Sequence, residues 1–193
     1  MESHDAPFPE TVVRLSLPDL VLDLATEPGL FSHRRVDPGT RLLLEEAPLP
    51  PSHGELLDLG CGYGPIALAL ASRAPRARVW AIDVDDRALQ ATERNARRAG
   101  LANIVTRTPR LVPDDVRFRA IYSNPPTRIG RAALVLLLIH WLARVERGAG
   151  YLVIKKDAGA DSIARALETS GFRATRVVAR RGYRVVQVVP RPS

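Results

Sequence analysis

From residue 55 onward, short apolar runs alternate with longer stretches of helical spacing. The runs at 55–59, 79–83, 103–107, 119–123 and 151–155 read as buried strands, and the segments 64–73, 87–99, 130–146 and 160–170 as helices. Such alternation predicts βαβ units and an α/β fold built on a mostly parallel sheet with helices on both faces. Asp86 is placed as the cap of the second helix and Gly100 as its stop. Around Arg181-Gly182, the runs 173–179 and 183–189 predict an antiparallel pair. Ahead of this core, Val12–Leu15 and Leu20–Leu24 flank Pro18-Asp19 and predict an N-terminal β-hairpin. Glu27-Pro28-Gly29 then makes a turn. Asp37 precedes Pro38 as the cap of a helix through Thr40–Leu44, which Pro48, Pro50 and Pro51 terminate. The expected organisation is a flexible tail over 1–10 and a single domain over 11–193. Within it, 11–50 holds the hairpin and helix and 51–193 the core.

Composition narrows the functional classes. The chain of 193 residues is 46% apolar, yet its longest apolar run, Ala132–Ile139, is too short to span a bilayer. The opening MESHDAPFPE is acidic and proline-containing, unlike a secretory leader, so a cytoplasmic location is expected. A single cysteine, Cys61, excludes an internal disulfide, and the four histidines show no metal-ligand spacing, so no metal is expected. A net charge of +7, carried almost wholly by arginine, favours a polyanionic partner.

The chemistry-bearing segment is Leu56-Leu57-Asp58-Leu59-Gly60-Cys61-Gly62-Tyr63-Gly64-Pro65. An apolar strand runs into three glycines at alternate positions and then into a helix opened by proline. Glycine permits φ/ψ values closed to other residues and lets the backbone approach a ligand. A helix N-terminus there offers free N–H groups. Such a loop serves a dinucleotide, a nucleoside or simply a tight turn. The G-x-G-x-G spacing departs from the dinucleotide fingerprint, and Asp83 ends the next strand, where a carboxylate can accept both hydroxyls of a ribose. This suits a nucleoside lacking a pyrophosphate, S-adenosylmethionine above all. The second segment, Ser123-Asn124-Pro125-Pro126, follows the apolar strand Ala120-Ile121-Tyr122 and reads either as a catalytic loop or as a stiff turn.

Together with Gly29-Leu30-Phe31-Ser32, Val36-Asp37-Pro38-Gly39-Thr40-Arg41-Leu42-Leu43, Ile82-Asp83-Val84 and SNPPTRIG at 123–130, these motifs give a resemblance over residues 26–189. The chain resembles the small-methyltransferase-domain family of class I S-adenosylmethionine-dependent methyltransferases, in particular the bacterial ribosomal RNA guanine-N2 enzymes, in a single-domain short form. The resemblance implies a Rossmann-like, mostly parallel seven-stranded sheet. It assigns the cofactor to Phe31, Asp58, Gly60, Cys61, Gly62, Gly64, Asp83, Val84 and Asn124. Asn124, Pro125 and Pro126 become the catalytic loop. The Asn124 amide oxygen and the Pro125 carbonyl would accept the two N–H bonds of an exocyclic amine. Ribosomal RNA or a ribosomal subunit is the implied partner, with Arg128, Arg131, Lys155 and Lys156 facing its phosphates, and a monomer or weak dimer is expected.

Two departures stand out. Thr127 occupies the position where many such enzymes carry an aromatic residue, which leaves Phe31 to stack on a base or to pack in the core. After the third core strand, Arg107-Thr108-Pro109-Arg110 replaces the usual acid, with Asp114 and Asp115 lying further on. Other readings keep the same chemistry on an adenine of nucleic acid or a glutamine of protein, or retain cofactor and RNA binding without catalysis.

Overall fold

A computed structural model describes residues 11–191; the expected N-terminal tail lies outside the described residues. The strands are β1 (Thr11–Ser16), β2 (Val21–Thr26), β3 (His53–Leu59), β4 (Arg76–Ile82), β5 (Ile104–Arg107), β6 (Phe118–Ser123), β7 (Val145–Lys155), β8 (Phe172–Arg180) and β9 (Tyr183–Pro190). The α-helices are α1 (Pro38–Glu46), α2 (Pro65–Arg73), α3 (Asp86–Arg98), α4 (Arg131–Leu142) and α5 (Ala160–Thr169).

Seven strands form one sheet in the order β5-β4-β3-β6-β7-β9-β8, with β3 through β7 parallel and β9 antiparallel to both of its neighbours. Alternate side chains of each strand leave opposite faces, which is the period-two rule of strands. Leu56, Val79, Ala81 and Tyr122 join α2, α3 and the hairpin in one apolar layer. Leu57, Leu59, Trp80, Ile82 and Ile121 join α4 and α5 in the other. This is a Rossmann-like methyltransferase fold. Strand order reverses between β3 and β6, so a crevice opens at their carboxyl ends.

The hairpin pairs with itself, Thr11 opposite Thr26 and Ser16 opposite Val21. It is tied down from three sides. Val13, Leu15 and Leu24 are buried in the first layer. Arg73 donates twice to Asp19 at 2.8 Å and once to the Leu44 carbonyl at 2.9 Å, joining the hairpin turn, α1 and α2. Buried Asn95 of α3 spans the Ala25 N–H and carbonyl and the Tyr63 carbonyl, each at 2.8 Å, and so couples β2 to the glycine loop.

Three sequence expectations need correction. Asp85, not Asp86, caps α3: its carboxylate accepts from Arg87 N, while Asp86 is the first helical residue and sits favourably at the positive end of the dipole. Helix α4 ends at Leu142 rather than near 146, and the following strand starts at Val145 rather than 151. The cause is Arg144, whose guanidinium bonds the Pro113 and Val116 carbonyls and lies over Phe118 and Trp141. It fixes the reversal at the helix end. Arg147 at φ 53 and Gly148 then form a bulge, and a Cβ on Gly148 would collide with the Arg119 carbonyl. A helical hydrophobic pattern cannot reveal a stop imposed by carbonyls some 30 residues away.

Candidate active site

The crevice is a cavity of about 470 Å³, within the size range of small-molecule sites. Its floor is the glycine loop after β3. Gly60, Gly62 and Gly64 all have positive φ, at 80°, 56° and 94°. Gly60 N–H and Cys61 N–H both donate to the Ile82 carbonyl at 2.8 and 2.9 Å, which pins the loop to the end of β4. A Cβ on Gly62 would meet nothing within 4 Å, so the bare backbone faces open space. A Cβ on Gly64 would instead lie 2.7 Å from Leu68 and 2.9 Å from Thr92. Gly64 therefore serves helix packing and does not line the cavity.

Asp83, half-buried beyond β4, accepts from Gly62 N at 2.9 Å and from Asp85 N at 3.1 Å, one bond per oxygen. Each oxygen keeps acceptor capacity for a further donor. Val84 beside it is 84% exposed at the lip, and Phe31 is 58% exposed on the opposing 27–36 loop. Exposure at the cavity excludes core packing as the role of Phe31. Cys61 is buried under the loop, where burial pushes its thiol well above the usual range.

Asp58 does not reach the cavity wall. It is fully buried, with one oxygen accepting from Ala67 N at 2.9 Å in the first turn of α2 and the other without a partner among the described residues. Burial pushes its carboxyl up to about 8, against the opposing bond from Ala67, and the charge of Asp83 raises it further.

The Ser123 hydroxyl donates to the Leu59 carbonyl at 2.6 Å and holds the end of β6 beside the glycine loop. Asn124 follows. Its amide nitrogen donates to the Asp37 carboxylate at 2.9 Å and to the Thr40 hydroxyl at 3.0 Å. Its oxygen has no partner among the described residues, while the side chain lines the cavity with Pro125 and Pro126. Arg128 and Lys155 also reach the cavity, but Arg131 and Lys156 lie outside its lining, exposed at the start of α4 and past β7.

Four contributors to the cavity are not among the site residues the sequence points to. Asp37 and Thr40 line the cavity, where the sequence indicates a helix cap and a family segment but no site role. Tyr63, between two loop glycines, presents a buried hydroxyl without a partner among the described residues. Tyr183 enters from β9, and burial followed by the charge and hydrogen bond of Asp37 pushes its pKa up. Tyr63, Asp37 and Thr40 lie within segments the sequence singles out, but their reach into the cavity has no local signal, and Tyr183 arrives only through sheet order.

The cavity fits S-adenosylmethionine. The bare face at Gly62 admits a ligand that any Cβ would obstruct, and Asp83 offers acceptors at the adjoining strand end. Of the segment that lacks an acid, Pro109 lines the cavity, whereas Asp114 and Asp115 do not.

Comparison with known proteins identifies the family. The family model described as Methyltransferase small domain matches residues 21–187, and the chain belongs to that family. Protein YbxB of Bacillus subtilis, itself uncharacterised, is 34% identical over 167 residues, covering 84% of this chain and 83% of its own length. Ribosomal RNA small subunit methyltransferase C of Shewanella amazonensis is 32% identical over 145 residues, 73% of this chain but 42% of that protein. The T. thermophilus 16S rRNA guanine-N2 methyltransferase RsmC, solved with AdoMet and guanosine, superposes with a TM-score of 0.76 at 22% identity, over 96% of this chain and 52% of that one. The chain thus spans about half the length, or less, of these two rRNA methyltransferases.

Proposed function

We propose that this member of the methyltransferase small domain family methylates the 2-amino group of a guanine in ribosomal RNA, with S-adenosylmethionine as donor. The observation that carries the reading is the Asn124 amide, held by its nitrogen so that its oxygen is left for a donor in the cavity. Two relatives whose names specify ribosomal RNA support the substrate class.

The residues divide into two sets. Gly60, Gly62 and Asp83 would hold the cofactor, with Phe31, Cys61 and Val84 around it; Asp58 anchors the first turn of α2 through Ala67, and Gly64 sets the start of that helix. Bound there, the cofactor supplies an electrophilic methyl group on a positively charged sulfur. Asn124 and the carbonyl of Pro125 accept the two N–H bonds of the target amine and aim its lone pair at that carbon. Methyl transfer to that nitrogen, with neutral S-adenosylhomocysteine as leaving group, would develop positive charge on the amine, and Asn124 and the Pro125 carbonyl would then bind it more tightly. An interaction strengthened in the transition state accelerates the chemical step. The surplus proton leaves to water. A paired guanine is extruded from its duplex beforehand. Arg128 and Lys155 at the mouth, with Arg131 and Lys156 further out, contact phosphates.

Asn124→Ala tests the reading. Single-turnover methylation of rRNA from cells lacking this gene is expected to fall by roughly 10²-fold, as for loss of one preorganised polar partner. Calorimetric affinity for S-adenosylmethionine is expected to stay near wild type. A wild-type rate would reduce Asn-Pro-Pro to a turn, and nucleoside analysis of the product separates guanine from adenine.

A further inference from the structure

The N-terminus of α1 reaches the catalytic loop across 84 to 87 residues of sequence. One oxygen of Asp37 accepts from Gly39 N at 2.8 Å, Thr40 N at 3.1 Å and Asn124 Nδ2 at 2.9 Å. The same carboxylate therefore caps a helix and holds the side chain proposed to accept the target amine. Thr40, itself buried, takes the second N–H of that amide on its hydroxyl at 3.0 Å.

From this we infer that Asp37 and Thr40 are positioning residues that lock the Asn124 amide in one of its two orientations. An amide can turn by half a revolution with little change of shape, exchanging a donor for an acceptor. A carboxylate only accepts. In the reversed orientation the Asn124 oxygen would face the Asp37 oxygen, and two donors would face a substrate amine whose own N–H bonds need acceptors. Asp37 and Thr40 satisfy both N–H groups on the protein side, so the orientation is set before substrate arrives. The Asp37 charge behind the amide also polarises it and makes the cavity-facing oxygen a stronger acceptor. Tyr183 packs against the node: a Cβ on Gly39 would lie 2.5 Å from its ring, and burial with the nearby Asp37 charge pushes its hydroxyl pKa up.

The inference rests on the reading of Asn124 given above, and the experiment separates the two. Thr40→Val removes the hydroxyl acceptor at nearly constant shape, and Thr40→Ser restores it. Asp37→Asn keeps a good helix cap but removes the charge and sets a new donor against the Asn124 amide. Single-turnover methylation of rRNA is expected to fall about tenfold in Thr40→Val, the scale of one neutral hydrogen bond. It is expected to fall roughly 10²-fold in Asp37→Asn and to return near wild type in Thr40→Ser. Affinity for S-adenosylmethionine stays unchanged throughout. In the Asn124→Ala background neither substitution slows the reaction further, because both act through Asn124. If Asn124→Ala is slow while Thr40→Val and Asp37→Asn run at the wild-type rate, the positioning role is wrong and the reading of Asn124 stands. If the losses persist undiminished in the Asn124→Ala background, the two residues act on the fold alone, and the inference is overturned. Should Asp37→Asn not fold, the Thr40→Val and Thr40→Ser pair decides. A wild-type rate for Asn124→Ala removes both.

Discussion

A carboxylate buried without a full set of partners makes the folded state sensitive to pH, and Asp58 is such a group. Its carboxyl rises from 3.8 to about 8 because burial penalises the charge more than the single Ala67 bond repays it. The folded protein then holds a proton that the unfolded chain releases. The stability Asp58 contributes is complete below about pH 4 and is lost as pH rises through 8. The slope is at most one proton, about 1.4 kcal/mol per pH unit. In Asp58→Asn a neutral amide can still accept from Ala67, so that slope should vanish. Denaturant melts of both proteins between about pH 5 and pH 8.5 measure it. Parallel pH profiles would mean that Asp58 stays ionised in the folded protein.

At the scale of elements, the glycine loop divides its labour by position. Gly64 has φ 94 and no room for a Cβ, so Gly64→Ala combines backbone strain with overpacking against Leu68 and Thr92. A loss of about 1–3 kcal/mol is expected, read as a lower unfolding midpoint. Gly62→Ala meets no protein atom and costs only the left-handed backbone, about 1–2 kcal/mol. Its methyl projects into the space a ligand needs, so affinity for S-adenosylmethionine should collapse while the fold persists. Calorimetry and thermal unfolding on the two variants should therefore give opposite rankings. What was legible in the sequence follows the same logic. The loop, the core strands and the Asp37 cap show up because apolar periodicity and glycine are local signals. The end of α4 was misplaced because Arg144 works through distant carbonyls. The roles of Asp37 and Thr40 toward Asn124 stayed hidden because residues 84 to 87 positions apart meet only once α1 packs against β7 and β9, beside β6.

For the molecule as a whole, the question is where an excess of +7 charges acts. Much of the arginine is neutralised locally: Arg14 with Asp23, Arg73 with Asp19, Arg94 with Glu27, Arg180 with Glu46 and Arg184 with Asp161. Around the carboxyl edge the pattern differs. Arg34 and Arg35 are exposed on the loop that carries Phe31, Arg128 and Arg131 follow the Asn-Pro-Pro segment, and Lys155 and Lys156 end β7. Lys156 N–H bonds the Gly182 carbonyl, which brings exposed Arg181 beside them. None of these seven side chains has a carboxylate partner among the described residues. Arg128 and Lys155 line the cavity, and we propose that the seven together make a basic rim suited to a phosphate backbone entering with its target base. If RNA binds there, log affinity should fall linearly with log salt, by roughly 0.7 to 0.9 for each phosphate neutralised. Arg128→Ala and Lys155→Ala should each reduce that slope by about one phosphate, while Arg97→Ala, placed on α3 beside Glu93, should leave it alone. Filter binding of rRNA fragments over a salt series measures all three. A slope that ignores salt, or one that Arg97→Ala changes as much as Arg128→Ala, would remove the rim as the RNA-binding face and turn attention to a protein substrate.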